Sequence, residues 1–189
     1  MVILILEGLP GSGKTSTIKY LSKKLHNPYV GELNDNNWRT LNPEGVNGRD
    51  IKYFLKNDIR KYSMALQLSK YNPLVFVDRG SLSTWAYYCC QGNRKKIKMA
   101  KENHELIRDK YQDNIIYIYI KINSKLSSIR KKKKKDNNDL WCFKKNLVKT
   151  EKFYNKRLLN KENVVEIFGN KPLKDIQKEL EYLLKPLTN

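Results

Sequence analysis

Gly8-Leu-Pro-Gly-Ser-Gly-Lys-Thr15 satisfies every fixed position of the pattern G-x-x-x-x-G-K-[ST]. The chemistry of such a run is phosphate binding. Its glycines let backbone N–H groups turn inward and approach phosphate oxygens with no Cβ in the way. Lys14 reaches the β and γ phosphates, and the Thr15 hydroxyl takes a place on Mg²⁺. The run predicts that ATP and Mg²⁺ are held by Gly8, Gly11, Ser12, Gly13, Lys14, Thr15 and Ser16, with Lys14 catalytic and Thr15 a metal ligand. An apolar segment precedes it and a helical pattern follows. That context separates it from a Gly-rich turn that merely contains Lys and Thr.

A second cluster is acidic. Leu74-Val-Phe-Val-Asp78 is an apolar run ending in a carboxylate, and Arg79 follows. Phosphoryl transfer needs such an acid beside the phosphate loop to hold Mg²⁺ or its water, so Asp78 is a catalytic and metal-ligand candidate. Arg79 falls at the edge of the sheet where ligands bind in open α/β folds. Capping of the next helix would explain Asp78 alone and leave Arg79 without a role. A third cluster is basic: Arg130 precedes Lys131–Lys135 and then Asp136-Asn-Asn-Asp139. A lid must bring cations over the transferring group, and Arg130 is the candidate. For the individual lysines a solvated run is the better account.

Other signals are weaker. Trp38, Arg39, Phe54, Arg60 and Tyr87 could line an acceptor pocket, but Tyr53, Phe54 and Met64 fit a helix core at least as well. His26 and His104 lack a partner pattern and are expected at the surface. Cys89-Cys90 is expected to be packing.

These residues require a scaffold. Strand-like runs are Val2–Glu7, Pro73–Asp78, Ile115–Ile122 and Val164–Phe168, with a weaker one at Tyr29–Gly31. Helical spacing covers Thr15–Leu25, Ile51–Lys70, Leu82–Cys90, Ile97–Tyr111, Leu126–Lys131, Leu140–Leu159 and Leu173–Leu184. Strands alternating with helices predict an α/β fold with a mainly parallel sheet. No repeat or Pro/Gly/Ser linker divides the chain, so one domain over 1–189 is expected, with a lid at about 130–140.

Composition narrows the classes. With 40% hydrophobic and 11% aromatic residues among 189, the chain is not expected to be disordered. No apolar run approaches a membrane span, and Val2–Leu6 is too short and lacks the basic flank of a signal peptide. Three cysteines suit neither a metal ribbon nor a disulfide framework, so a reduced, cytoplasmic setting is the expectation. The net charge is +19, which points to polyanion partners. Yet 30 of the cations are Lys, only 8 are Arg, and Asn numbers 20. Phosphate recognition favours the guanidinium fork, so the excess is read as compositional, with nucleic acid bound only non-specifically.

Asp78-Arg-Gly-Ser-Leu-Ser-Thr-Trp-Ala-Tyr-Tyr-Cys-Cys-Gln-Gly92 resembles the D-R-Y-x-x-S-x-x-A-Y-Q-x-x-x-G region of thymidylate kinases. Asp78, Arg79, Ser83, Ala86, Tyr87 and Gly92 match it. The opening Leu6-Glu-Gly-Leu-Pro-Gly-Ser-Gly-Lys-Thr15 looks like the same family's I-E-G-x-x-G-x-G-K-[ST]. The strand at Asn114–Ile122, Arg130 and the helix through Leu147–Leu158 resemble later parts of that fold. Gly80 and Tyr88 depart from it, and its R-E-P-G-G segment is missing. In that place Gly31-Glu-Leu-Asn-Asp-Asn-Asn-Trp-Arg39 is loosely similar to the E-P-V-x-x-W segment of deoxynucleoside kinases, where Glu is the base.

The resemblance implies a P-loop kinase fold with helices on both faces of a five-stranded sheet, ordered 2-3-1-4-5. It implies ATP-dependent phosphoryl transfer to a nucleoside monophosphate, with dTMP favoured. Arg79 would hold the acceptor phosphate and Arg130 stabilise the transferring group. Glu32, Trp38, Arg60, Ser83 and Tyr87 complete the expected acceptor site, and a homodimer is left open. Three alternatives stand beside this reading. One is a deoxynucleoside kinase with Glu32 as general base. The second is a nucleic-acid binder or polynucleotide 5′-end kinase. The third is a P-loop binding protein without turnover.

Overall fold

Val2–Glu7 is apolar on both faces, and such a strand is stable only between two layers. In the computed structural model, which describes residues 1–32, 51–132 and 143–187, it is the central strand. The strands are β1 (Val2–Glu7), β2 (Tyr29–Val30), β3 (Leu74–Asp78), β4 (Ile115–Lys121) and β5 (Val164–Phe168). They form one parallel sheet in the order β2-β3-β1-β4-β5, as the resemblance implied.

The helices are α1 (Lys14–Lys24), α2 (Ile51–Ser69), α3 (Ser81–Gln91), α4 (Arg94–Tyr111), α5 (Ser124–Lys132), α6 (Lys144–Leu158) and α7 (Leu173–Leu184). Short 3-10 turns cover Gln112–Asn114 and Lys185–Leu187. The period-2 alternation of the strands divides the core. Ile3, Ile5, Val75, Val77, Tyr117 and Tyr119 face α2, α3, α4 and α6. Leu4, Leu6, Phe76, Ile118 and Ile120 face α1 and α7. No described helix is long and apolar enough to cross a membrane.

Several expectations change. His104 is buried rather than at the surface, because α4 packs against α3 and turns it inward to Ser81. His26 is exposed with φ 52°. Met64 is 40% exposed and not core, since it lies off the face of α2 that buries Tyr62 and Ala65. Cys90 is buried and Cys89 half-buried, in keeping with packing. The segment holding Trp38 and Arg39 lies outside the described residues, as do residues 133–142, which include Lys133, Lys135, Asp136 and Asp139 and most of the expected lid.

Candidate active site

The parallel sheet carries the chemistry at its carboxyl edge. Register places Leu6 beside Asp78 and Glu7 beside Tyr119. The phosphate loop therefore leaves β1 next to the acid that ends β3. A Cβ on Gly8 would lie 2.5 Å from the Ile120 carbonyl oxygen, and its φ of 142° is closed to other residues, so only glycine fits. Gly13 precedes α1 with no side-chain cap, which leaves the first N–H groups of that helix for an anion.

Lys14 is buried and bridges the loop. Its ammonium donates to the carbonyls of Gly8 and Leu9, each at 2.9 Å, and to Ser12 Oγ at 3.1 Å. Burial, aided by the Arg79 guanidinium, pushes Lys14 down to about 7. A polyphosphate in the loop would supply the anion that keeps it charged. Ser16 is exposed on α1 beyond the loop.

Thr15 Oγ1 donates to Asp78 Oδ2 at 2.6 Å. Asp78 Oδ1 is buried with no hydrogen-bond partner among the described residues. A hydroxyl beside a carboxylate with an unused oxygen is a donor set that suits Mg²⁺, which takes few protein ligands and completes its shell with phosphates and water. No cluster of three metal-ligating side chains occurs among the described residues, as that mode of binding requires none. Asp78 does not cap α3; Gly80 occupies the N-cap position.

Arg79 is the junction of the site. Its backbone is left-handed at φ 62°, an uncommon conformation for a residue with a Cβ. Lys61 holds it there, donating from α2 to the carbonyls of Asp78 at 2.6 Å and Arg79 at 2.5 Å. The Arg79 side chain donates to the Gly8 carbonyl at 3.3 Å and to Ser83 Oγ at 3.1 Å. Its Nε stands 2.8 Å from Glu32 Oε1. Burial opposes the Arg79 charge, but Glu32, Tyr154, Glu7 and Asp78 together outweigh that and raise its pKa above the usual value. Glu32 itself is half-exposed just past β2.

Beneath this surface lies a network in which the sequence identified only some members. Glu7 is fully buried and accepts from the Gly80 N–H at 2.8 Å, Ser83 Oγ at 2.5 Å and the Tyr154 hydroxyl at 3.1 Å. Burial raises its pKa despite these donors. Ser83 lies 2.8 Å from Tyr154, so its hydroxyl is committed to Glu7, Arg79 and Tyr154 and acts as a positioning group. A Cβ on Gly80 would lie 2.8 Å from the Tyr62 hydroxyl, which explains why no aromatic stands there. Asp58, one turn before Lys61, is pushed up to about 7 by burial. Lys61, Asp58 and Tyr154 carry no motif of their own. The Glu before the first loop glycine was the one available signal for Glu7.

The remaining candidates divide. Arg130 lies on α5 and donates to the Gly11 carbonyl at 3.3 Å, while Ser127 Oγ donates to the Pro10 carbonyl at 2.7 Å. Helix α5 is thus docked on the phosphate loop. Tyr87 is buried, with the Phe54 ring 6.3 Å away. Tyr88 is core, 1% exposed, where the resembling family carries Gln. Arg60 is not brought to the site. It is exposed, two residues beyond Asp58 and about 200° round the helix from it.

A family model described as "AAA domain" matches residues 3–120. No curated protein gives a significant match. Among solved structures, deoxyadenosine kinase from M. mycoides with the products dCMP and dCDP is similar over 98% of this chain and 100% of its own, at 17% identity and TM-score 0.68. The same enzyme with bound dCTP gives 15% identity and TM-score 0.69, covering 98% of this chain and 100% of its own. The YorR protein of Bacillus subtilis, in complex with phosphorylated GDP, covers 97% of this chain and 96% of its own at 15% identity and TM-score 0.64. The chain has the fold of the P-loop nucleotide and deoxynucleoside kinases.

Proposed function

The chain belongs to the AAA domain family, and from that premise we propose that it is an ATP-dependent kinase that phosphorylates the sugar hydroxyl of a deoxynucleoside. The observation that carries this reading is Glu32, whose carboxylate rests 2.8 Å from the Arg79 guanidinium beside the phosphate loop. A sugar hydroxyl is a poor nucleophile at neutral pH and needs a placed base. An acceptor phosphate would instead need Arg79 for itself, and Glu32 already occupies that cation. The full-length likeness to a deoxyadenosine kinase supports the same acceptor class.

In this reaction Glu32 takes the hydroxyl proton as the sugar oxygen attacks the γ-phosphorus. The bond to the β–γ bridging oxygen breaks and ADP leaves. Arg79 orients Glu32, and Lys14 and Arg130 stabilise charge on the transferring group. Thr15 and Asp78 would hold Mg²⁺, which supplies charge neutralisation on the phosphate oxygens when bound. Residues 1–189 act as one kinase domain, with the lid beginning near Arg130.

The test is steady-state kinetics with ATP on a panel of deoxynucleosides and their monophosphates. Deoxynucleosides should be the better acceptors. Glu32→Gln should lower kcat on them by roughly 10²–10⁴, the range for a general base. Faster turnover of dTMP, with Glu32→Gln nearly silent, would restore the monophosphate reading.

A further inference from the structure

A second cavity lies on the α3, α4 and α6 side of the sheet. It measures about 290 Å³ and shares no lining residue with the phosphate loop, Glu32, Asp78, Arg79 or Arg130. Tyr117 and Val164 form part of its wall and pair in register, Val164 being the first residue of β5. The cavity therefore lies toward the amino end of β5, whereas the phosphate loop follows the carboxyl end of β1.

Its walls combine an aromatic floor with a cationic rim. Trp85 and Tyr117 are buried, at 5% and 6% exposure. Arg108, Lys156, Arg157 and Lys161 also line it, against one carboxylate, Glu105. Arg108 is paired with Asp109 at 2.7 Å. Arg157 has no ion pair among the described residues and is fixed instead over the Trp85 ring, 4.2 Å from its centroid. Stacking leaves the edge of a guanidinium available as a rigid fork for an oxyanion. The two lysines supply mobile charge beside it.

The wall also holds polar nitrogens with unused capacity. His104 is 8% exposed and engages Ser81 through Nδ1 at 2.9 Å; its Nε2 has no partner among the described residues. Trp85 Nε1 is likewise buried and without a partner among them. Burial, with Arg108 and Arg157 nearby, holds His104 down at about 4, so the wall keeps a neutral imidazole amid excess positive charge.

We propose that this cavity is a second binding site, for a small phosphomonoester, with Arg157 as its anchor and Lys161 contributing at the rim. The volume lies just under the roughly 300–1,000 Å³ usual for ligand sites, which suits a sugar phosphate rather than a triphosphate. Ser81 opens α3 two residues after Arg79, so the His104 bond links this wall to the active-site turn.

Isothermal titration tests the site without turnover, and so separately from the acceptor assignment. The full chain is saturated with Mg²⁺ and a non-hydrolysable ATP analogue to fill the phosphate loop. Ribose 5-phosphate, ribose and sulfate are then titrated in turn. Ribose 5-phosphate should bind saturably at one equivalent and ribose should not bind. Arg157→Ala should weaken binding roughly 10- to 100-fold, the effect of one charge-assisted hydrogen bond. Lys161→Ala, exposed and harmless to packing, should weaken it less, and neither should change the KM for ATP. Equal binding of sulfate, no saturable binding, or affinity indifferent to both variants would overturn the site.

Discussion

Lys61 and His104 are single residues that no motif marks, and both act through the turn at Arg79. Lys61 spends its ammonium on two consecutive carbonyls, and so holds Arg79 in a left-handed conformation that costs of order 1–3 kcal/mol for a side-chain-bearing residue. A lone buried lysine in a helix gives no spacing to read, whereas Asp78-Arg79 could be read because an apolar strand ends there. His104 carries a pH prediction. Burial lowers it from 6.5 to about 4. The unfolded chain therefore binds this proton more readily, and acid favours unfolding through it. Its contribution is complete above about pH 6.5 and is lost as pH falls through about 4. His104→Asn keeps a partner for Ser81 without titrating. Thermal melts should show wild type losing up to about 3 kcal/mol relative to this variant between pH 7 and pH 4. Parallel curves for the two proteins would show that His104 is not held neutral.

Elements were legible where their residues repeat with a period. The bounds of β1, β5 and α7 agree with the sequence reading, because β1 and β5 end at a loop and α7 begins after Pro172. Helix α4 begins at Arg94 rather than Ile97, since Arg94, Lys95 and Lys96 are charged and add nothing to an apolar pattern. The pairing of α3 with α4, which buries His104, is a tertiary fact that no local pattern contains. Helix α5 behaves differently, because Arg130 could be named without its contact. Docked, α5 brings Arg130 against Gly11, whose added Cβ would lie 3.0 Å from Arg130 Cβ. This close approach makes α5 a rigid mount for the guanidinium. Arg130→Ala should therefore lower kcat by about 10²–10³, as when one preorganised donor is removed from a transition state. The KM for the acceptor should stay within a few-fold. Steady-state kinetics in which KM rises and kcat holds would make Arg130 a ground-state binding group instead.

At the scale of the whole molecule the question is what a net charge of +19 does. Field and site need not coincide. The cations with defined work at the active site are few, namely Lys14, Lys61, Arg79 and Arg130, and each is bonded to backbone or to a named partner. Others pair along exposed helix faces, as Lys98 does with Glu102 and Lys101 with Glu105. Such exposed pairs contribute little to stability and do not form a groove. Nucleic-acid readers concentrate Arg on one element that enters a groove, whereas here only 8 of 38 basic residues are Arg. The excess should therefore act as a diffuse field. It would draw anionic nucleotides toward the site at low salt and bind duplex DNA only as any polycation does. Fluorescence anisotropy with a labelled duplex should give a Kd no tighter than about 10⁻⁴ to 10⁻⁶ M at physiological salt. Affinity should fall steeply with added salt and be indifferent to sequence, because only phosphate contacts contribute. Nanomolar binding at that salt would instead mean that the basic surface is an organised interface, and a 5′-hydroxyl oligonucleotide would become the acceptor to test first.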